Sequence, residues 1–203
     1  MRPHDVATHL FTVVSGYVKA YTINDQGVEQ IQIVYGHMEV FPVAWLVGNT
    51  RVRVFFEAMT DCELDVVPYT ALDTLLRNNA EASYAMLGKV VDLYLTYIAQ
   101  VDNLEYTYAS ERLAYRLLII ADHFGEMTAD GIRLPAFSYQ SIGSTINLSR
   151  ESVNREMSKL VEQKLISVTK SHISIHNIAG LKKKIDRDGT NLILEDLVSP
   201  HEQ

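Results

Sequence analysis

The chain has 203 residues, 47% of them apolar, and a net charge of −7, enough apolar content for a substantial core in one or two domains. Its single cysteine, Cys62, excludes an intramolecular disulfide and any multi-cysteine zinc or iron–sulfur site within one chain. No apolar run approaches the ~20 residues of a membrane-spanning helix and the first residues lead into no secretory signal, so the expected compartment is the cytoplasm.

Residues 10–70 are rich in β-branched and aromatic residues punctuated by turns. The segment Asn24-Asp25-Gln26-Gly27 between two alternating runs predicts a hairpin. Further strands are expected over 52–58 and 62–67. Short strands with no intervening helix predict an antiparallel sandwich or barrel. His37 and Glu39 echo metal-ligand spacing, but no His-x-His partner or third ligand follows, so turn residues are expected there and no metal.

From Tyr69 the period changes, and Leu72, Leu75 and Leu76 open a helix. Residues 80–108 contain neither Pro nor a turn cluster. Within them Leu87, Val91, Tyr94, Ile98 and Val101 recur at alternating spacings of four and three, a heptad-like seam that Glu105 and Tyr108 extend weakly. So long a helix predicts homodimerisation along the seam, with part of the stripe packed on its own barrel. The segment ERLAYRLLIIADHFG starts another amphipathic helix, and 127–135 is expected to be a link.

The stretch SYQSIGSTINLSRESVNREMSKLVEQKLI, residues 138–166, predicts two short helices crossing at a tight turn. In the first, about 139–145, Ile142 and Ile146 face a shared core and Gly143 permits close approach. Asn147 tolerates the left-handed conformation that the turn needs. Ser149 caps the second helix, although Ser152 leaves the capping box incomplete. Val153, Met157, Leu160 and Val161 form its apolar stripe, and Arg150, Glu151, Asn154 and Arg155 the opposite face. Guanidinium groups suit guanine O6 and N7 and a carboxylate suits cytosine N4, so this face fits base edges in a major groove. Two alternating runs around Thr169-Lys170-Ser171 predict a hairpin, which makes the unit winged. Residues 138–187 carry +5, leaving −12 elsewhere, so basic charge sits where phosphates would be met. Residues 188–203 form a tail with no functional reading.

With these elements in this order, the chain resembles the Crp/Fnr family of bacterial transcription regulators. The resemblance rests on LSRESVNR, similar to the family's Ser-Arg-Glu-Thr-Val signature followed by a basic residue, on Leu165-Ile166 at the exit to the wing, and on SGYVKAY, EAMTDCEL and SERLAYRLL. It implies an α+β fold: a jelly-roll-like antiparallel β-barrel over 1–79, a long dimerisation helix over 80–109, and a winged helix-turn-helix over 110–187. It further implies a non-enzymatic regulator that binds double-stranded DNA as a homodimer at a near-palindromic site and acts on RNA polymerase. Carried over by position, Arg150, Glu151 and Arg155 read bases, with Asn154 where subfamily specificities separate. Ser138, Gln140, Ser149 and the wing residue Lys170 meet phosphates.

The sequence departs from the family pattern in two places. Where cyclic-AMP-binding members hold phosphate and ribose with Gly-Glu and Arg-Ser or Arg-Thr pairs, this chain reads Val40-Phe41-Pro42-Val43 and Val52-Arg53-Val54. Cyclic AMP is therefore not expected, and the effector is unassigned; Phe41, Trp45, Arg53 and Tyr97 are the residues placed at its pocket. Alternatively Phe41, Trp45 and Phe55 fill that pocket and no small ligand exists. Met1-Arg2-Pro3-His4-Asp5 resembles a turn inside the barrel, so a helix and roughly two strands are expected to be missing before it, or the start is misassigned. A competing reading makes the barrel a small-molecule or metal sensor, or a cupin-like protein.

Overall fold

The computed structural model describes residues 1–44, 50–106 and 108–185. Two compact units, Met1–Ile98 and Ala99–Gln203, divide the chain inside its longest helix.

The first unit begins with a turn at Met1–Asp5, in which the Arg2 backbone N–H donates to Asp5 Oδ2 at 2.7 Å. Six strands follow: β1 (His9–Ser15), β2 (Val18–Ile23), β3 (Glu29–Tyr35), β4 (Val40–Phe41), β5 (Phe55–Ala58) and β6 (Glu63–Pro68). They form two three-stranded antiparallel sheets, β4-β1-β6 and β3-β2-β5, so the jelly-roll-like barrel is open. The expected hairpin joins β2 to β3: Asn24 Oδ1 accepts from the N–H groups of Gln26 and Val28, and Gly27 takes φ 75°. Between the sheets Val13, Val18, Ile33, Val52, Val54 and Phe56 are buried. The expected strand over 52–58 is shorter, because Val52 and Val54 bury their side chains without joining a ladder.

Helix α1 (Tyr69–Asn78) buries Leu72 against Leu10 and Val43. Helix α2 (Ala80–Glu105) is one continuous element of ~39 Å at 1.5 Å per residue, ending short of the expected limit at 109. Leu93 packs on the sandwich core and Met86 on the α1 cluster. The seam faces elsewhere: Leu87, Val91, Tyr94, Ile98 and Val101 are 55, 45, 64, 37 and 61% exposed.

The second unit contains α3 (Ala109–Phe124), β7 (Glu126–Thr128), β8 (Gly131–Pro135), α4 (Tyr139–Thr145), α5 (Arg150–Glu162), β9 (Ile166–Val168), β10 (His172–Ile175) and α6 (Ile178–Ile185). Residues 127–135, expected to be a link, instead form most of a hairpin that completes a four-stranded sheet, β7-β8-β10-β9. Ile132 and Leu134 turn inward while Arg133 between them is exposed, the period-two pattern of a half-buried strand. Leu113, Leu117, Ile142, Val153, Met157, Ile173 and Leu181 share the core beneath it. The tail from residue 186 lies outside the described residues.

Candidate nucleic-acid interface

Helix α4 starts at Ser138, whose Oγ accepts from the Ser141 N–H at 3.0 Å, and α5 starts at Ser149, which accepts from the Ser152 N–H at 3.2 Å. Both expected phosphate-contacting serines are thus exposed N-caps, beside helix N-termini whose unpaired N–H groups favour anions. Between the helices Asn147 adopts φ 53°. A Cβ on Gly143 would overlap the Leu148 carbonyl oxygen and approach Val153 Cγ2 to 3.3 Å, so the crossing needs glycine. Arg112 of α3 braces this turn by donating from Nη1 to the Ile146 carbonyl at 3.2 Å.

Val153, Met157 and Leu160 are nearly inaccessible, which fixes how α5 faces the core. Val161 is 41% exposed, contrary to the expected stripe, because it lies about 80° round the helix from Val153 at 100° per residue. Arg150, Glu151, Asn154 and Arg155 are all exposed on the first two turns, and Gln140 is exposed on α4. The Glu151 carboxyl is held below its ordinary value by its own backbone N–H and by Ser149, so it remains an acceptor.

The helix leaves through Lys164, at φ 56°, where the Leu165 N–H bonds the Leu160 carbonyl at 3.0 Å. The wing then pairs Ile166 with Ile175 and Val168 with Ile173. Lys170 is exposed at its tip, in a turn closed by Thr169, whose Oγ1 accepts from the Ser171 and His172 N–H groups.

Glu156 is a feature that the sequence reading passed over. It is 6% exposed, bonds both oxygens to Lys159 Nζ at 2.9 and 3.1 Å, and accepts from Arg155 Nε at 3.3 Å. Burial raises its pKa, but the bonds from Lys159 and Arg155 outweigh burial and leave the carboxyl below its ordinary value. Its position, three residues from both Val153 and Lys159, already marked it as flanking the buried stripe.

Of the residues assigned to an effector pocket, three lie among the described residues. Phe41 lies in the core, its ring centroid 5.3, 5.2 and 5.0 Å from those of Phe11, Tyr35 and Phe56. Arg53 is exposed between buried Val52 and Val54. Tyr97 is 38% exposed on α2, and Trp45 lies outside the described residues. An apolar cleft of about 370 Å³ is lined by residues that include Val43, Leu76, Met86 and Val90. Among the described residues no charged side chain lines it, and the Ser83 hydroxyl there is spent on the Leu76 carbonyl at 2.6 Å. His37 bonds the Val14 carbonyl and Glu39 accepts from the Gly36 N–H. Among the described residues no group of three His, Cys, Asp or Glu side chains gathers to hold a metal, and no helix is long and apolar enough to cross a membrane.

Comparison with known proteins agrees with this geometry. Residues 111–184 match the Crp-like helix-turn-helix domain and residues 1–79 the cyclic nucleotide-binding domain. The global nitrogen regulator of Synechocystis sp. is 29% identical over 185 residues, 90% of this chain and 82% of that protein. The cAMP-activated global transcriptional regulator CRP of Haemophilus influenzae is 28% identical over 162 residues, 79% of this chain and 72% of that protein. FixK2 from Bradyrhizobium japonicum shares the fold with a TM-score of 0.79 at 21% identity, covering 90% of this chain and 89% of that one. A CRP-family regulator from Thermus thermophilus gives 0.75 at 20% identity, covering 91% of each chain. Regulators with this helix-turn-helix bind DNA and typically act as dimers. By its two matched domains and the helix-turn-helix built on them, the chain belongs to the Crp/Fnr family of transcription regulators, proteins that are not enzymes.

Proposed function

We propose that two copies of the chain join along the α2 seam and place one α5 of each in successive major grooves of a near-palindromic site. Arg150, Glu151, Asn154 and Arg155 then meet base edges, while Ser138, Gln140, Ser149 and Lys170 meet phosphates. The observation that carries this reading is the division of α5: its four reading side chains are exposed on the first two turns, while Val153 and Met157 are locked in the core. The apolar side chains left exposed on α2 support the dimer. The regulator works in the cytoplasm, with RNA polymerase as the machinery it recruits or blocks. Its control does not pass through cyclic AMP. In support, Phe41 is enclosed by aromatic rings, Arg53 is exposed, and among the described residues the apolar cleft offers a phosphate no cation.

Selection of bound duplexes from a random pool tests this and should return two related half-sites about one helical turn apart. Against the selected duplex, Arg155→Ala should cost ~1–3 kcal/mol and relax specificity at one base pair of each half-site. Unchanged binding would remove Arg155 from the readers. Affinity should also fall steeply with salt.

A further inference from the structure

Position 156 invites an apolar residue: it flanks the stripe formed by Val153, Met157 and Leu160, and its side chain is almost as enclosed as theirs. An acid there is costly to bury unless it is paired. Its carboxylate lines a cavity of about 220 Å³ with Lys159 and Gln163 of its own helix, Ser110 of α3 and Lys184 of α6. Lys159 alone reaches both of its oxygens, so Arg155 is not required to neutralise it. Yet Arg155 Nε also bonds Oε1 at 3.3 Å while the Arg155 side chain stays 62% exposed. A guanidinium anchored through Nε keeps its two terminal nitrogens free, and those nitrogens form the fork that matches guanine O6 and N7. A rigid fork also loses less rotamer freedom when it meets a base.

We propose that Glu156 is a positioning residue that aims Arg155 at guanine, and so sets the preference for guanine at one operator position. The inference rests on reading Arg155 as a base contact. A second consequence concerns charge: the buried carboxylate restrains two cations, Arg155 and Lys159, that would otherwise be freer to meet phosphates anywhere on DNA.

The test measures the full-length protein on three duplexes: the one returned by selection, the same duplex with the guanine facing Arg155 replaced by adenine, and an unrelated duplex of equal length. Arg155→Ala identifies the guanine. Glu156→Leu should lower the guanine-to-adenine ratio about tenfold while binding the unrelated duplex as tightly as the wild type or more tightly. Glu156→Gln, which keeps an oxygen acceptor in the same volume but loses the charge that strengthens the bond to Nε, should lower the ratio by about threefold and serves if the leucine variant does not fold. In an Arg155→Ala background, Glu156→Leu should change the ratio by less than about twofold, as expected of a coupled pair. A ratio unmoved by both Glu156 variants, while Arg155→Ala abolishes it, would overturn the proposal and leave Arg155 a reader. Parallel loss of affinity for all three duplexes would overturn it too, showing that Glu156 only supports the helix. No effect of Arg155→Ala would remove both readings.

Discussion

Gly143 and Arg116 show two different demands on single residues. A methyl group on Gly143 would overlap the Leu148 carbonyl, which belongs to the turn backbone and cannot swing aside. Gly143→Ala is therefore expected to destabilise the protein by ~1–3 kcal/mol, read as a lower urea midpoint at unchanged slope. Arg116 is 6% exposed on α3, and its Nε is buried without an acceptor among the described residues. Burial pushes its pKa down to about 10. Because the folded value is depressed, the unfolded chain holds the proton more firmly, and the charged group opposes folding at every pH below about 10. Arg116→Met should be neutral or stabilising, by up to ~1–4 kcal/mol in thermal melts; clear destabilisation would show that the guanidinium has a compensating role. Gly143 was legible in the sequence because a tight helix crossing has a local signature. Arg116 was not, since a charged residue in an amphipathic helix reads as solvated until its neighbours are in place.

Among the elements, α5 owes its start to Ser149. Ser149→Ala removes the acceptor for the Ser152 N–H and should cost ~1 kcal/mol of stability. It should also weaken binding to the selected duplex, because the frayed turn carries Arg150 and Glu151. A far-ultraviolet melt and a binding titration check the two effects separately. The limits of α4 and the start of α5 could be read from the chain because caps and apolar spacing act within a turn or two of helix. The β7–β8 hairpin could not. Its strands are three and five residues long, and β8 gains its second neighbour from β10, some forty residues further on. Val161 and the 52–54 segment failed for a related reason, since burial at the edge of a stripe or outside a ladder depends on what packs opposite.

For the whole molecule, the proposed dimer rests on the seam of apolar side chains that α2 leaves exposed. Val91→Glu would place a charge on it at little cost to the single chain, where Val91 is 45% exposed. The variant should sediment as a monomer. Its affinity for the two-half-site duplex should fall by about 100-fold or more, as expected when two linked contacts become one, while a single half-site binds as before. A variant that remains dimeric would move the interface off this seam. By itself the sequence determined the capped start of α5, the apolar spacing along α2 and the basic charge of the C-terminal region, because each is written in local spacing and residue type. Only the tertiary structure decided that Phe41 packs among rings, that 127–135 joins the wing sheet, and that Glu156 lies buried between Arg155 and Lys159. Those outcomes depend on which groups meet across long stretches of chain, where burial and pairing are settled by neighbours that no local pattern names.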